Sequence, residues 1–480
     1  MIEKKSVINN KVTSTGALSV MLFLMIAITT QVFIFDNSGA IHITLILVLI
    51  YASCVALFFG HSWKEVQNGI LHGCQVAMLP MLILMMVGVL IASWMAAGTI
   101  PAFIYYGMLL LSPKYFLFSA CLICCLGSLS TGSSWTTSAT FGVAFMGIGF
   151  GLGITPAITA GAVISGSIFG DKMSPLSDST NLAAGIVGAD LFKHIKSMLY
   201  STGPAILMTL ATFYILGLYL STDIAIDKSQ INSMLIGLSD NYSLSAITFL
   251  PPLVVIIMAI KKYEGLQVMI AASVTGVVIA LLLQNISTNE IFNAMNYGYK
   301  SKTGIESIDN LLSRGGLQNM MWTVSLGFIA LSLGGLMEKT HMLEAILMKM
   351  KHLLTSLFGL VTSHVVFSVI VNFLGASQFL AIIIPARMLL PIYRQKRLLP
   401  EVCSRVSEDS ATVTSPLVPW GLGGAYYSTV LGVSTMDYFP YTFLAFFAPL
   451  ITILLAYTNN FMFTENDNRI GVNHVTESRL

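Results

Sequence analysis

Charged residues are scarce in this chain. Asp, Glu, Lys and Arg make up only 10% of its 480 residues, whereas apolar residues make up 55%. Soluble globular domains carry roughly 25% charged residues, so this composition excludes that class. The formal net charge is only +2, and the Lys and Arg residues do not cluster into a basic patch. This distribution excludes a nucleic-acid partner. The shortage of charge therefore predicts an integral protein of the lipid bilayer.

Cysteine and histidine are also sparse and poorly grouped. Three of the six cysteines, Cys121, Cys124 and Cys125, lie in an apolar run with no His or carboxylate beside them, which favours helix packing over a metal site or a disulfide framework. No nucleophile with a base and no metal-ligand cluster interrupts the apolar runs. We therefore expect neither an enzyme nor a bound cofactor.

The apolar residues form long continuous runs. At about 20 residues per span, the chain has room for roughly 10 to 14 transmembrane helices. The most polar interruption, Gln284 to Asn319, divides these runs into two parts. We predict an all-α polytopic membrane protein with polar tails at 1–16 and 462–480, repeat halves at 17–220 and 320–461, and connecting helices with a polar linker at 221–319.

Two features bear on how the chain lies in the bilayer. Lys4, Lys5 and Lys11 precede the first apolar run, whereas the loop at 36–39 carries no Lys or Arg, so the positive-inside rule predicts a cytoplasmic N-terminus. The stretch from Ala189 to Tyr200 mixes charged and apolar residues at helical spacing, and we expect it to lie at the membrane surface.

The two parts of the chain share an internal similarity. "SPLSDST" at 174–180 has a counterpart in "SEDSATVTSPL" at 407–417, and both follow a hydroxyl-rich stretch, "GSLSTGSSWTTSATFG" from Gly127 and "NFLGASQFLAIIIP" from Asn372. Weak repeats with Gly and Pro at matching positions are typical of secondary transporters built from two, usually inverted, repeats. We therefore expect broken helices or re-entrant hairpins at a site between the repeats.

Carboxylates at these breaks are the candidate ligands. Insertion of an Asp side chain at the centre of a membrane helix costs about 2.5 to 3.5 kcal/mol. Asp178 and Asp409 are therefore expected to have a polar partner or a function. Carboxylate, hydroxyl and amide oxygens suit a small hard cation. A carboxylate that holds either a cation or a proton would couple the movement of one to that of the other.

A second interpretation places the same residues in solvated loops. Asp171 would then pair with Lys172 or Lys193, and the carboxylates that follow Arg405 would pair with it. The residues alone are compatible with both interpretations.

Several motifs resemble the NhaC-type Na+/H+ antiporters. They run in order from about Gly127 to Pro449 and include "GSSWTTSATFG", "AGAVISGSIFGDKMSPLSDSTNLAAG", "SQFLAIIIPARML", "SRVSEDSATVTSPLVPW" and "GAYYSTVLGV". The resemblance implies a multi-helix antiporter of the inner membrane, in the ion-transporter superfamily, that exchanges Na+ for H+. Some members of this group exchange organic acids, such as malate for lactate, with Na+ and H+.

The resemblance also implies site residues in both halves. In the first half they are Ser134, Trp135, Thr136, Asp171, Lys172, Ser174, Pro175, Ser177, Asp178, Thr180 and Asn181. In the second half they are Gln378, Arg405, Glu408, Asp409, Thr412, Ser415, Pro416 and Trp420. The chain departs from the family pattern at Ala386, Ala411, Gly421 and Gly423, and the two glycines bear on the substrate more than on the fold.

Our hypothesis gives these residues roles. Asp178 binds the cation or the proton, Asp178, Thr180 and Asp409 hold Na+, and Glu408 completes the second half of the site. Neutral oxygens come from Ser177, Thr180, Asn181, Thr412 and Ser415. The supporting residues are Ser134, Thr136, Asp171, Lys172, Ser174, Pro175, Gln378, Arg405, Pro416 and Trp420.

One alternative keeps this scaffold and changes the cargo to an organic acid or amino acid moved with Na+ or H+. Its carboxylate would face Lys172, Arg387 or Arg405, in space widened at Gly421 and Gly423. The only other partners expected are the transported Na+ and H+ ions, and assembly as a homodimer is left open.

Overall fold

A computed structural model describes residues 12–31, 41–223, 228–349 and 351–464. Lys4, Lys5, Lys11 and the loop at 36–39, on which the orientation of the N-terminus depends, lie outside the described residues. The cytoplasmic location of the N-terminus therefore remains a prediction. Most residues of the two predicted polar tails also lie outside the described ranges.

The described residues are helical throughout, with one isolated β-bridge between Leu398 and Thr464. The first third contains α1 (Ser14–Thr29), α2 (Ile41–Phe58), α3 (Trp63–Ala96), α4 (Thr99–Leu110), α5 (Pro113–Thr131), α6 (Ser134–Thr137), α7 (Val143–Gly151), α8 (Pro156–Met173) and α9 (Asp178–Val187). The middle contains α10 (Leu191–Asp223), α11 (Lys228–Asn241), α12 (Leu250–Ile260), α13 (Gly265–Leu283), α14 (Thr288–Tyr297), α15 (Glu306–Leu312), α16 (Leu317–Lys339) and α17 (Met342–Met348). The last part contains α18 (Leu357–Gly375), α19 (Gln378–Gln395), α20 (Pro400–Ser407), α21 (Leu422–Leu431), α22 (Thr435–Tyr438) and α23 (Phe443–Tyr457).

Seven of the described helices are long and apolar enough to cross a membrane, and the number rises to nine if each of two bent helix pairs is one span. This confirms an all-α, multi-pass membrane protein. The sequence-based figure of 10 to 14 came from chain length at about 20 residues per span, whereas several described helices are shorter or broken.

Two helices are broken where the Ser-Pro-Leu motifs occur. The first broken helix consists of α8 and α9, separated by residues 174–177. The second consists of α20, which continues through a π-helical turn at Glu408–Thr412 and then breaks before α21. Pro175 and Pro416 donate no backbone hydrogen bond and therefore favour these interruptions.

Two hairpins turn back with the same backbone geometry. The first hairpin joins α5 to α6, a π-helical turn at Ser138–Gly142 and α7; the second joins α18 to α19. Gly132 (φ 67°) is followed by extended Ser133 (φ −144°, ψ 115°), and Ala376 (φ 52°) by extended Ser377 (φ −144°, ψ 125°). The matched hydroxyl-rich stretches of the sequence therefore form matched hairpin tips.

Each hairpin tip lies on the break that follows it in the chain. Ser174 donates a hydrogen bond from Oγ to the Leu129 carbonyl (2.9 Å) in the first half. In the second half, the Leu422 amide donates to the Ala376 carbonyl (2.9 Å) and Trp420 Nε1 donates to the Phe373 carbonyl (2.9 Å). The halves then exchange contacts, because α19 packs against α9 and α7 packs against α21.

The stretch from Ala189 to Tyr200 does not form a separate surface helix. From Leu191 onward it is the first part of α10, which continues to Asp223 and qualifies as a membrane span. The charged residues of this stretch lie on the first turns of a long helix, and its other side is buried. The predicted stretch is therefore part of a long helix and not a helix of its own.

Candidate cation-binding site

Three carboxylates and one ammonium group are buried where the two broken helices meet. Asp171 is 7% exposed, and Lys172, Glu408 and Asp409 are 0% exposed. Asp171 and Lys172 occupy the last turn of α8, and Glu408 and Asp409 open the π-helical turn after α20. Both breaks therefore bring charge into one buried region, whereas the interpretation as solvated loops is excluded for these four residues.

Asp409 has a partner for each of its oxygens. Oδ1 accepts from Lys172 Nζ, with which it forms an ion pair, and from Thr202 Oγ1 (3.1 Å). Oδ2 accepts from Thr452 Oγ1 (2.5 Å). This carboxylate therefore ties the first broken helix to the second, and both to α10 and α23.

Asp171 is also satisfied, by hydroxyl groups. Its Oδ2 accepts from Ser134 Oγ (2.7 Å) at the first hairpin, and its Oδ1 accepts from Ser177 Oγ (2.5 Å) in the break. Thr180 Oγ1 donates to the Lys172 carbonyl (2.9 Å) and so closes the end of α8 against α9. These contacts hold the first break together.

Glu408 is different, because neither of its carboxylate oxygens has a hydrogen-bond partner among the described residues. The hydroxyls of Ser179 and Thr412 are its polar neighbours, and it interacts electrostatically with Lys172 and Asp171. Thr412 Oγ1 has no hydrogen-bond partner either. A buried, unpartnered carboxylate is costly, so these oxygens are candidates for a ligand or a proton.

The second hairpin adds further acceptor oxygens. Asn372 donates from Nδ2 to the Ala411 carbonyl (2.6 Å) and to Thr414 Oγ1 (3.0 Å), while its Oδ1 has no partner in the described part of the chain. The Ser377 hydroxyl at the tip is buried and similarly unpartnered. Carboxylate, amide and hydroxyl oxygens form a donor set that suits a small hard cation.

Asp178 lies outside this buried cluster. It is exposed at the start of α9. It interacts electrostatically with Glu264, in the loop before α13, and with Asp171. That Asp178, Thr180 and Asp409 together hold Na+ stays a prediction: Thr180 donates to the Lys172 carbonyl, and both oxygens of Asp409 are engaged. No group of three or more His, Cys, Asp and Glu side chains suited to a metal occurs within the described ranges.

The remaining predicted residues support the breaks or lie apart. Asn181 is exposed and donates to the carbonyls of Pro175 (2.9 Å) and Ser177 (2.8 Å). Pro416 accepts from Tyr438 Oη (2.7 Å), and buried Ser415 lies beside it. Thr136 bonds within its own turn to Ser133, Trp135 stacks on Tyr426 with ring centroids 4.4 Å apart, and Gln378 is half-buried at the start of α19.

The three predicted basic groups for an organic anion are engaged or exposed, and Lys172 pairs with Asp409. Arg405 is fully buried and donates from Nη1 to the carbonyls of Ser197 (3.4 Å) and Phe461 (3.0 Å), and Arg387 is exposed. The glycines do not widen the site: a Cβ at Gly423 would lie 2.5 Å from Ser415 Oγ, and one at Gly421 would lie 3.1 Å from Val418 Cβ. They allow close packing of the second break, so the predicted extra space is absent there.

Sequence reasoning missed Thr202, Thr452, Ser179 and Asn372. Each is a small polar residue in a largely apolar or small-residue run, which is the signal that could have identified it. Their partners lie far away in the chain, so no local spacing predicts the pairing.

Comparisons with known proteins agree with these features. A profile of the Na+/H+ antiporter family matches residues 5–180 and 166–459. The Na+/H+ antiporter NhaC of Alkalihalophilus pseudofirmus is 38% identical over 93% of this chain and 96% of its own length. The malate-2H+/Na+-lactate antiporter of Bacillus subtilis is 32% identical (94% and 95%), and the arginine/ornithine antiporter ArcD of Halobacterium salinarum is 34% identical (83% and 83%).

Proposed function

This chain belongs to the Na+/H+ antiporter family, and from this premise we propose that it is a secondary active antiporter that exchanges Na+ for H+ across the inner membrane. The cation would bind at Glu408, with neutral oxygens from Thr412, Asn372 and Ser377. The similarity to NhaC antiporters supports the choice of ions, and the oxygen donor set supports the place.

One observation carries the choice of carboxylate: Glu408 is buried without a hydrogen-bond partner, whereas Asp171 and Asp409 have partners for both oxygens. A carboxylate buried alone favours the neutral, protonated form, and a cation bound to it favours the ionised form. Glu408 would therefore hold either Na+ or H+, and the exchange follows from that competition.

The Lys172–Asp409 ion pair would set the electrostatic potential around Glu408. The ammonium group of Lys172 interacts with Glu408 as well as with Asp409. It therefore stabilises the empty, ionised carboxylate enough for a proton or Na+ to leave. Asp178, exposed beside Asp171, would attract cations toward the first break without binding them tightly.

The paired breaks supply a means of alternating access. Each hairpin tip rests on its own break, and each half contacts the other through α9 and α21. Relative movement of the two halves would expose Glu408 first to one side of the membrane and then to the other.

Proton movement in proteoliposomes with an internal pH dye tests this proposal. Na+, Li+, K+, malate, lactate and arginine are added in turn to the wild type, Glu408→Gln and Asp178→Asn. We expect an Na+-triggered proton flux that Glu408→Gln abolishes and Asp178→Asn only weakens. A flux lost in Asp178→Asn but kept in Glu408→Gln would return the central role to Asp178.

An exchanger of organic acids or amino acids is the second candidate, because the relatives include a malate/lactate and an arginine/ornithine antiporter. In this chain the buried basic groups Lys172 and Arg405 already have partners. The same experiment separates the candidates, since a flux that requires malate, lactate or arginine in addition to Na+ would replace simple cation exchange.

A further inference from the structure

A row of buried polar side chains follows one side of α10. His194, Ser197 and Ser201 are spaced by three and four residues, which places them on one helical face, and all three are 0% exposed. Thr202 follows directly and donates from Oγ1 to Asp409 Oδ1 (3.1 Å). This row is polar in a helix that otherwise qualifies as a membrane span.

The row packs against α20, and the surfaces that face each other contain polar atoms without partners. His194 Nδ1 bonds to Ser404 Oγ (2.8 Å), but its Nε2 has no partner in the described part of the structure. A hydrogen-bond partner among the described residues is also lacking for Ser197 Oγ, Arg405 Nε and Glu401 Oε2. Unpartnered buried polar atoms are uncommon and costly, and water is what usually satisfies them.

The row of polar side chains begins near an exposed residue and ends at the buried ion pair. At one end, Asp190 is exposed, and its carbonyl accepts the His194 amide (2.9 Å), so His194 lies one helical turn below the surface. At the other end, Ser201 and Thr202 are the neighbours of Asp409. The polar side chains thus run from exposed Asp190 to the buried Lys172–Asp409 pair.

We propose that the packed contact between α10 and α20 admits water and forms a hydrated half-channel, which carries protons between exposed Asp190 and the Lys172–Asp409 pair. This inference rests on the proposed proton exchange. Each water in the row accepts one proton and releases another, so no group along it changes charge permanently. His194 and Ser197 are positioning residues that hold the water.

The charges around His194 agree with this role. It interacts electrostatically with Lys172, Asp409 and Arg405, while Glu401 lies on the facing helix and Asp190, Lys193 and Lys196 flank it on α10. Groups of both signs therefore surround His194.

His364 provides a matched control. It too is 0% exposed and bonds to a serine of the α20 region, Ser407, through Nε2 (3.1 Å). Its Nδ1 bonds to Tyr393 Oη (3.1 Å), so both ring nitrogens have partners. The ring nitrogens of this second histidine therefore need no water, although buried Ser368 and Asn372 follow it on the same face of α18.

The accessibility of single cysteines tests the half-channel directly. Ser197→Cys and Ala205→Cys are made after the six native cysteines are replaced, and a small, membrane-impermeant thiol reagent is added from either side. We expect Ser197→Cys to react only from the side that carries Asp190, and Ala205→Cys, fully buried further along α10, to remain unmodified. A Ser197→Cys protein that reacts from neither side would overturn the proposal.

This measurement does not depend on transport, so a wild type that exchanges Na+ for H+ beside an unreactive Ser197→Cys would refute the half-channel and leave the proposed function intact. Should the cysteine variants fail to fold, His194→Gln and His364→Gln give a second test. We expect His194→Gln to slow proton release roughly tenfold, about 1.4 kcal/mol of added barrier, and to enlarge the effect of D2O without changing Na+ affinity. Equal proton rates in the two variants would contradict the proposal.

Discussion

The two broken helices use buried carboxylates in opposite ways. In the first, the hydroxyls of Ser134 and Ser177 satisfy both oxygens of Asp171 and fasten the hairpin to the break. In the second, Glu408 has no hydrogen-bond partner among the described residues. The difference indicates that the first break is a structural clamp and that the second provides the ligand. The Lys172–Asp409 pair takes one residue from each and joins them.

We expect the largest loss of stability from breaking the Lys172–Asp409 ion pair. Lys172→Met leaves Asp409 buried without its cation, and removing one partner of a buried ion pair typically costs about 3–5 kcal/mol. The melting temperature of the purified protein in detergent measures this loss. Lys172→Met combined with Asp409→Asn should recover most of it, whereas additive losses would show that the two residues act independently.

A smaller effect compares the clamp with the ligand. Ser134→Ala leaves one oxygen of Asp171 unpartnered, which typically costs about 1–3 kcal/mol. Glu408→Gln replaces a buried carboxyl group that has no hydrogen bond to lose among the described residues, so we expect its stability to equal or exceed that of the wild type. Denaturation of both variants under one set of conditions provides the measurement. If Glu408→Gln were the less stable of the two, Glu408 would be a structural residue.

The hairpin tips offer a matched pair of changes. Ala376 occupies the left-handed conformation that Gly132 occupies in the other hairpin. A residue with a Cβ costs roughly 1–2 kcal/mol there. Ala376→Gly should therefore stabilise the protein, and Gly132→Ala should destabilise it further because its Cβ would lie 2.6 Å from Leu176 Cβ. Thermal shifts of the same sign for both variants would contradict the equivalence of the tips.

The smallest effect concerns the polar linker, away from both breaks. Burial raises the pKa of Asp309, but hydrogen bonds from the Thr303 amide, from the hydroxyls of Ser301 and Thr303, and from the Gly304 amide outweigh it and lower that pKa below its ordinary value. A carboxyl with a depressed pKa stabilises the fold above its unfolded pKa, and this stability is lost as the pH falls through the folded value.

Asp309→Asn should therefore lower the melting temperature slightly at pH 7, with the difference from the wild type shrinking below about pH 4. Glu306→Gln, an exposed change on the same helix, is the control. A pH-independent difference for Asp309→Asn would mean that ionisation of Asp309 does not contribute.

The sequence predicted the positions of the breaks better than the contacts made there. Proline lacks a backbone donor, so the two Ser-Pro-Leu motifs identify interruptions wherever they fold, and the paired hydroxyl-rich stretches identify the hairpins. The choice among carboxylates could not be predicted by helical spacing. The π-helical turn at Glu408–Thr412 alters which side chains share a face, and Asp178 points out of the cluster from the first residue of α9. Thr202 and Thr452 reach Asp409 only through tertiary packing.

Sodium binding and proton release measured together test the central claim most directly. Purified wild type, Glu408→Gln and Asp178→Asn are titrated with radioactive Na+ in weakly buffered solution that contains a pH dye. We predict that Na+ binding releases protons in the wild type and in Asp178→Asn, and that Glu408→Gln shows neither binding nor release. Proton release by Glu408→Gln at the wild-type level would contradict it.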